Sequence, residues 1–178
     1  MGESPAIAYL SLGSNLGNRL RNLVRSLEGI VRYGTIEAVS SLYETDPIPP
    51  KPPQPNFYNA VCRIRTILEC RELLLSLKSI EAECGRLPMG PRNGPRPLDI
   101  DILLYNTNTL DDPDLTLPHP KLANRGFVLF PLVEIAPDLR HPRLGSRMAT
   151  LLSATERPGI RRIADPSWPS SLEGRQLL

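Results

Sequence analysis

The sequence predicts an α+β fold of the ferredoxin-like kind, with the element order β-α-β-β-α-β, helices packed on one face of an antiparallel sheet, and C-terminal additions. Two observations support this prediction. Strand-like stretches, rich in apolar or β-branched residues, occupy 7–12, 35–45, 57–66 and 98–105. Apolar residues at helical spacing fill 16–31, after the first strand, and 73–84, after the third.

Residues that cap helices or end strands mark the limits of these elements. The first strand ends at Gly13, and Ser14 or Asn15 is placed to cap the first helix. The second strand stops at the pair Asp46 and Pro47, and Gly85 is expected just past the end of the second helix. Each boundary therefore has a local cause.

Beyond the fourth strand, the pattern predicts smaller additions. We expect an extended piece around 115–117, a helical segment at 128–135 and a short helix at 148–154. The length predicts one catalytic domain over 1–156, followed by a weakly ordered tail over 157–178.

Composition narrows the class of protein. No apolar run approaches the roughly 18 residues that would cross a bilayer, and the N-terminal residues lack a signal-peptide pattern, so we expect a cytoplasmic protein without a membrane partner. A net charge of +2 does not by itself indicate a nucleic-acid partner. The three cysteines have no C-x-x-C spacing, which disfavours a zinc site.

Two aspartates interrupt the apolar fourth strand, in the stretch RPLDIDILLY. Asp99 and Asp101 are two residues apart and therefore share one face of the strand. Carboxylates about 6 Å apart repel by roughly 3 kcal/mol at an effective dielectric constant near 20. Water, arginine, a shared proton or a divalent metal could compensate this repulsion, and a solvent-facing pair of solvated acids is the alternative.

The loop before this strand is locally cationic. The sequence GRLPMGPRNGPRP contains Arg86, Arg92 and Arg96 and no acidic residue. Arginines form forked hydrogen bonds with phosphates, and paired carboxylates bind Mg²⁺ through hard oxygens. Together they predict a site for a nucleoside triphosphate with magnesium.

Four other positions are weaker candidates. Phe57 and Asn59 share a strand face and could stack on a flat heterocycle and hydrogen-bond its edge, although a strand phenylalanine is commonly a core residue. Glu81 could form a salt bridge with Arg86 or contact a ligand. His119 lies in a stiff segment between two prolines, where a surface role is the alternative.

The stretch NRGFVLF resembles part of the RNP1 motif of RNA-recognition domains. The match stops after Arg-Gly-Phe, and the stretch follows the fourth strand, whereas RNP1 belongs on the third. An RNA-binding module and a metal-dependent phosphohydrolase are the alternatives to a transferase.

The stretch RNGPRPLDIDIL (92–103) resembles the signature of the 6-hydroxymethyl-7,8-dihydropterin pyrophosphokinase family of folate biosynthesis. YLSLGSNLGNR, YETDPI, FYNAV and LPHPKLANRGFVLFPLVEIAP resemble that family in the same order. The similarity covers about 7–152.

This resemblance implies a magnesium-dependent diphosphotransferase that moves diphosphate from ATP to the pterin hydroxymethyl group and releases AMP. Separately, we expect a monomer that does not bind nucleic acid. The resemblance places two Mg²⁺ ions, bound with ATP, on Asp99 and Asp101, which would offset the repulsion between them. The implied catalytic residues are Arg86, Arg96, Asp99 and Asp101. The implied ATP contacts are Glu81, Arg86, Arg92, Arg96, Ile102, Thr116, His119 and Arg125. The implied pterin contacts are Thr45, Pro47, Ile48, Phe57, Asn59 and Phe127, with the two phenylalanines enclosing the ring.

Overall fold

The computed structural model describes residues 4–47, 54–86, 94–155 and 159–172. The described strands are β1 (Ala6–Ser14), β2 (Thr35–Val39), β3 (Leu42–Thr45), β4 (Phe57–Thr66), β5 (Asp99–Tyr105), β6 (Leu110–Asp111), β7 (Thr116–Leu117) and β8 (Ile160–Ala164). The described α-helices are α1 (Arg19–Ile30), α2 (Cys70–Glu83), α3 (Gly126–Ile135) and α4 (Met148–Ser153), and 3-10 helices occupy Leu122–Asn124 and Trp168–Leu172.

The main sheet has six strands in the order β5-β1-β4-β3-β8, and β2 also pairs with β4. Neighbouring strands in this sheet run antiparallel. The predicted antiparallel sheet with helices is therefore confirmed. β6 and β7 form a separate two-stranded ribbon.

One face of the sheet packs against α1 and α2. Alternate residues of β1, β4 and β5 point to this face, among them Leu10, Cys62 and Ile100, and all three are fully buried. The helices contribute the apolar stripes that the sequence predicted, including Leu23 and Leu77. Burial of these two complementary surfaces forms the larger core.

The opposite face is also covered in part, so the expectation of helices on one face is incomplete. Tyr9, Val61 and Leu103 belong to a second core cluster with residues of α3 and α4, including Val128 and Met148. α3 is apolar around most of its circumference, which explains why it requires an apolar surface on the sheet. Beyond α3, the same face carries polar residues that border a cavity among the described residues.

Two local predictions need correction, and a third is confirmed. The N-cap of α1 is Asn18, whose side chain accepts a hydrogen bond from the Arg21 backbone N–H at 3.1 Å, rather than Ser14 or Asn15. The predicted strand 35–45 divides into β2 and β3, because Ser40 and Ser41 interrupt it. By contrast, Gly85 follows α2 with φ +88°, as predicted for the residue past the helix end.

Part of the segment that we expected to be weakly ordered has regular structure. Residues 160–164 form β8, which pairs with β3. Trp168 is buried, and its indole N–H donates to the Ser40 carbonyl at 2.9 Å. Backbone pairing and burial of a large aromatic ring compensate the entropy of ordering these residues, and composition alone did not reveal this.

Candidate active site

A cavity of about 280 Å³ opens at the uncovered end of the second sheet face. Its size lies close to the lower end of the range typical of small-molecule sites. The residues that line it are Ser11, Gly13, Thr45, Asp46, Pro47, Phe57, Asn59, Lys78, Arg86, Arg96, Asp99, Asp101, His119, Arg125 and Phe127.

The floor of the cavity follows from the register of β4, β1 and β5. Gly13 of β1 is paired with Asn59 on one side and with Asp99 on the other, and Ser11 is paired with Asp101. A Cβ atom at Gly13 would lie 3.3 Å from Asn59 Oδ1. Because glycine has no side chain, the space between the Asn59 amide and the Asp99 carboxylate stays accessible from the cavity.

Asp99 is held by two arginines. Arg86 donates to Asp99 Oδ1 at 2.5 Å, and Arg96 lies 3.0 Å from Oδ2. Burial alone would raise the pKa of Asp99, but the charges of Arg96 and Arg86 outweigh it and hold the pKa below its usual value. Arginine is thus one of the compensating groups that the spacing of Asp99 and Asp101 required.

Glu81 contacts Arg86 from outside the cavity lining. Its Oε1 accepts hydrogen bonds from the Arg86 guanidinium and from the Ile100 backbone N–H, both at 2.6 Å. Lys78 Nζ lies 3.0 Å from the same carboxylate. Burial raises the pKa of the Glu81 carboxyl, and Lys78 and Arg86 offset this only in part. The buried carboxylate fixes the guanidinium of Arg86 between α2 and β5.

The backbone of Arg96 is fixed by Asn15, which is 1% exposed. The Arg96 N–H donates to Asn15 Oδ1 at 2.8 Å, and the Asn15 N–H donates to the Arg96 carbonyl at 3.2 Å. Asn15 Nδ2 also donates to Gln54 Oε1 and to the Pro55 carbonyl. The turn after β1 therefore positions a cation in the cavity, although it carries no phosphate-loop motif.

Asp101 faces His119. The two side chains approach to 3.9 Å between Asp101 Oδ2 and His119 Nε2. The Lys121 backbone N–H donates to His119 Nδ1 at 3.2 Å, so a neutral imidazole carries its proton on Nε2, towards Asp101. Burial lowers the pKa of His119, which favours this neutral form.

The other side of the cavity is more apolar. Phe57 at the start of β4 and Phe127 in α3 both line it. The Arg125 guanidinium lies 5.5 Å from the centre of the Phe127 ring. Asn59 Nδ2 donates to Thr45 Oγ1 at 2.7 Å, which fixes the amide and turns its oxygen towards Gly13. Aromatic faces beside a fixed acceptor suit a flat heterocycle with an amino edge.

The structure brings most of the predicted site residues to one cavity. Eleven predicted residues line it: Thr45, Pro47, Phe57, Asn59, Arg86, Arg96, Asp99, Asp101, His119, Arg125 and Phe127. Glu81 contacts Arg86 from behind, Ile102 is buried in the core against α1 and α2, and Thr116 lies in the β6–β7 ribbon. Ile48 and Arg92 lie outside the described residues.

Sequence reasoning missed Ser11, Gly13, Asp46 and Lys78. Strand periodicity could have found the first two, because they alternate with the buried Leu10 and Leu12 in β1. Asp46 is adjacent to predicted residues. Lys78 carried no signal, since a lysine on a helix is commonly a solvated residue.

Asp99 and Asp101 are the candidate ligands for a magnesium ion. The described residues contain no cluster of three or more His, Cys, Asp or Glu side chains that could hold a metal. Asp99 and Asp101 offer hard carboxylate oxygens from one strand face, and Mg²⁺ is typically bound by one or two carboxylates with substrate phosphates and water. The residues therefore fit magnesium delivered with a polyphosphate better than a preformed metal site.

The stretch that resembled RNP1 lies mainly in α3 rather than on a strand. Phe127 contributes to the cavity from a helix, and RNP1 aromatics act from a central strand. Among the described residues, the aromatic ring of this stretch that lines the cavity is therefore placed differently from an RNP1 aromatic. In addition, no helix among the described residues is long and apolar enough to cross a membrane.

Comparison with known proteins points to one family. Residues 9–137 match the model of the 7,8-dihydro-6-hydroxymethylpterin-pyrophosphokinase (HPPK) family. The chain is 42% identical over 157 residues to a 2-amino-4-hydroxy-6-hydroxymethyldihydropteridine pyrophosphokinase of Pseudomonas aeruginosa, covering 87% of this chain and 95% of that protein. It is also 42% identical over 143 residues to the folic acid synthesis protein fol1 of Pneumocystis carinii.

The Pneumocystis match covers 80% of this chain but 19% of that relative, so the chain spans about a fifth of its length. Among solved structures, the wild-type HPPK-DHPS of Plasmodium falciparum with pterin and p-hydroxybenzoate has a TM-score of 0.69 at 18% identity. That comparison covers 86% of this chain and 42% of the other. At this identity the likeness concerns the fold.

Proposed function

The chain belongs to the 7,8-dihydro-6-hydroxymethylpterin-pyrophosphokinase family, and we propose that it transfers diphosphate from ATP to 6-hydroxymethyl-7,8-dihydropterin, releasing AMP, in folate biosynthesis. One observation carries the proposal. A single cavity joins an aromatic and amide side, suited to a pterin, with an arginine and carboxylate side, suited to a polyphosphate. Transfer requires that donor and acceptor meet in this way.

The acceptor would occupy the side formed by Phe57, Phe127 and Asn59. The two rings would enclose the pterin, and the Asn59 oxygen would accept from its amino edge. Support comes from the hydrogen bond between Asn59 and Thr45, which fixes the amide before any ligand arrives. A prearranged acceptor avoids part of the entropy cost of binding.

The donor would occupy the side formed by Arg86, Arg96 and Arg125, with Asp99 and Asp101. We propose that the two aspartates hold two Mg²⁺ ions that enter with ATP, and bound magnesium would withdraw charge from the phosphates. Arg86 and Arg96 would neutralise the charge that develops on the transferring group. Glu81 and Asn15 support this role, because they lie outside the lining of the cavity and hold Arg86 and Arg96.

In the reaction, the hydroxymethyl oxygen forms a bond to the β-phosphorus of ATP. The bond between that phosphorus and the oxygen bridging to the α-phosphorus breaks, AMP leaves with the electron pair, and the hydroxyl proton passes to solvent. Catalysis would come mainly from positioning and charge stabilisation, as in other phosphoryl transfers.

The finer fold assignment belongs to the same proposal. The strand order β5-β1-β4-β3 corresponds to 4-1-3-2 when β2 and β3 are counted as one interrupted strand. This order supports the ferredoxin-like arrangement, to which α3, α4 and β8 would be additions.

The test is product identification. The protein is incubated with ATP, Mg²⁺ and 6-hydroxymethyl-7,8-dihydropterin, and nucleotides and pterins are separated by chromatography. The proposal predicts AMP and pterin diphosphate in equal amounts. ADP with a pterin monophosphate would indicate an ordinary kinase, and phosphate release without a modified pterin would indicate the phosphohydrolase alternative.

The remaining expectations stay predictions. They are a monomeric cytoplasmic protein that binds neither nucleic acid nor membrane and that requires magnesium for activity. Omission of Mg²⁺ from the assay should abolish AMP formation, and its restoration by added Mg²⁺ would distinguish metal dependence from inactivation.

A further inference from the structure

The C-terminal strand β8 lies on the edge of the sheet next to the acceptor side of the cavity. It pairs with β3 in a register that places Ile160 opposite Thr45 and Arg161 opposite Glu44. The family match ends at residue 137, so this strand lies beyond the matched region. It nevertheless pairs with β3, directly before the residues that form one wall of the cavity.

That wall consists of Asp46 and Pro47, which follow β3 and line the cavity. The Asp46 N–H donates to the Gly159 carbonyl at 3.2 Å, which extends the pairing by one residue. Gly159 has φ +64°, and a Cβ atom there would lie 2.9 Å from Asp46 Cβ. Rotation of the Asp46 carboxylate would not relieve that contact, so a side chain at 159 would displace the wall itself.

Ionic contacts connect β8 to the opposite wall. Arg161 lies 3.0 Å from Glu44 Oε2, and Arg19 lies 2.9 Å from Glu44 Oε1. Arg19 also donates to the Asn56 carbonyl at 2.8 Å, directly before Phe57, and its guanidinium lies 3.7 Å from the centre of the Tyr58 ring. The buried Trp168 then anchors the segment after β8 to Ser40.

We propose that Gly159 and β8 are positioning elements for the acceptor subsite. They hold the Asp46–Pro47 wall against the cavity and, through Arg161, Glu44 and Arg19, fix its spacing from Phe57. Gly159 is required because a larger residue cannot approach Asp46 this closely in a left-handed backbone conformation. The inference rests on the proposed function and deepens it by assigning acceptor affinity to a segment outside the family match.

The decisive variant is Gly159→Ala, with Gly145→Ala as a matched control. Gly145 has φ +67°, and a Cβ atom there would have no heavy atom within 4 Å, so both variants carry a similar backbone penalty and only one contacts the wall. For Gly159→Ala we expect the KM for the pterin to rise about tenfold, which corresponds to about 1.4 kcal/mol. The KM for ATP and kcat should stay within about twofold of the parent, and Gly145→Ala should match the parent in all three.

Unchanged pterin KM in Gly159→Ala would overturn the proposal. So would an equal rise in the KM for ATP, or the same change in Gly145→Ala, because each would indicate a general effect on the fold. Thermal unfolding of both variants accompanies the kinetics, so that a shared loss of stability is recognised.

A second pair of variants covers the case in which Gly159→Ala does not fold. Arg161→Ala removes the link to Glu44, and Arg147→Ala removes the ion pair with Asp138 at 3.5 Å from a side chain of similar exposure, 55% against 59%. We expect the pterin KM to rise about two- to threefold for Arg161→Ala and not for Arg147→Ala. Equal values in the two variants would contradict the proposal.

The activity of the parent protein distinguishes a failure of this inference from a failure of the proposed function on which it rests. If the parent forms no AMP with the pterin, the proposed function fails before any variant is compared. If the parent is active and Gly159→Ala equals Gly145→Ala, the function stands and the positioning role of β8 fails.

Discussion

The second face of the sheet has two halves with opposite properties, although the same three strands build both. In one half, Tyr9, Val61 and Leu103 are buried beneath α3 and α4. In the other half, two residues further along each strand, Ser11, Asn59 and Asp101 border an open cavity. A change of side-chain chemistry along a strand therefore divides one face into a core and a site. The covered half stabilises the strands that the open half uses.

The largest expected effect concerns the open half. Asp99→Asn and Asp101→Asn should each lower turnover by about three orders of magnitude or more, because a neutral amide is a weak ligand for a hard cation. The measurement is AMP formation at saturating substrates.

Stability should separate those two variants. Asp101→Asn should leave the free energy of unfolding within about 1 kcal/mol of the parent. Asp99→Asn should lower it, because Arg86 and Arg96 lose their shared carboxylate. The control is Asp138→Asn, at an 86% exposed side chain remote from the cavity, which should keep parental turnover. Near-parental turnover in either Asn variant would remove the aspartates from the mechanism.

The next prediction concerns a substitution in the half of the face that α3 and α4 cover. Leu103 is 1% exposed and lies two residues from Asp101 on the same strand face. Leu103→Ala should lower the free energy of unfolding by about 2 to 5 kcal/mol, because it leaves a cavity beneath α3. Urea titration measures this loss. Below the unfolding transition, the KM values for both substrates should stay within about threefold of the parent, and a large change in either would show that the two halves are not separable.

A smaller effect is expected within the open half. Phe57→Ala and Phe127→Ala should each weaken pterin binding by about 1 to 3 kcal/mol and leave ATP binding nearly unchanged, since each removes one proposed stacking partner. Equilibrium titrations with each ligand test this. Loss of ATP affinity with intact pterin affinity would exchange the two subsites.

The smallest expected effect is the contribution of His141 to the pH dependence of the free energy of unfolding. His141 follows α3, and its Nδ1 accepts from the Arg143 and Leu144 backbone N–H groups. Burial, and then the charge of Arg143, lower its pKa below the ordinary value. The unfolded chain therefore takes up a proton first, so the stability contribution is complete above the unfolded pKa and declines as the pH falls through it towards the folded pKa.

Urea unfolding between pH 7.5 and 5 measures that decline. His119 contributes in the same direction, because burial also lowers its pKa. The comparison is therefore between the parent and His141→Asn, which should show a smaller loss of stability over the range. Parallel pH profiles would exclude a role for His141.

The elements that the sequence predicted share a physical cause. The periodicity of β1, β4, β5 and α1 follows from burial, which imprints apolar spacing on the chain. The same alternation brought Asp99 and Asp101 to one face and Phe57 to the face of Asn59. No comparable pattern predicted the interruption between β2 and β3 at Ser40 and Ser41, because the polar groups of Ser41 bond to Glu134, which is remote in the sequence. That carboxylate accepts from the Ser41 backbone N–H at 3.0 Å and from its hydroxyl at 2.6 Å.

Long-range contacts explain the other differences. β8 acquires its structure from pairing with a strand more than a hundred residues earlier, and no local pattern encodes that partner. Likewise, Glu81 lies on the apolar stripe of α2, and its spacing alone could not decide between a ligand and Arg86. The contacts with Arg86 and the Ile100 N–H assign it to holding the arginine.

The claim that the open half of this face is where donor and acceptor meet is tested most directly by a crystal structure with both substrates. The complex would contain Mg²⁺, 6-hydroxymethyl-7,8-dihydropterin and the α,β-methylene analogue of ATP, in which a methylene group replaces the oxygen of the bond that would break. We predict the pterin between Phe57 and Phe127, with the triphosphate over Asp99 and Asp101. Either ligand bound outside this cavity, or the pterin on the arginine side, would contradict the account.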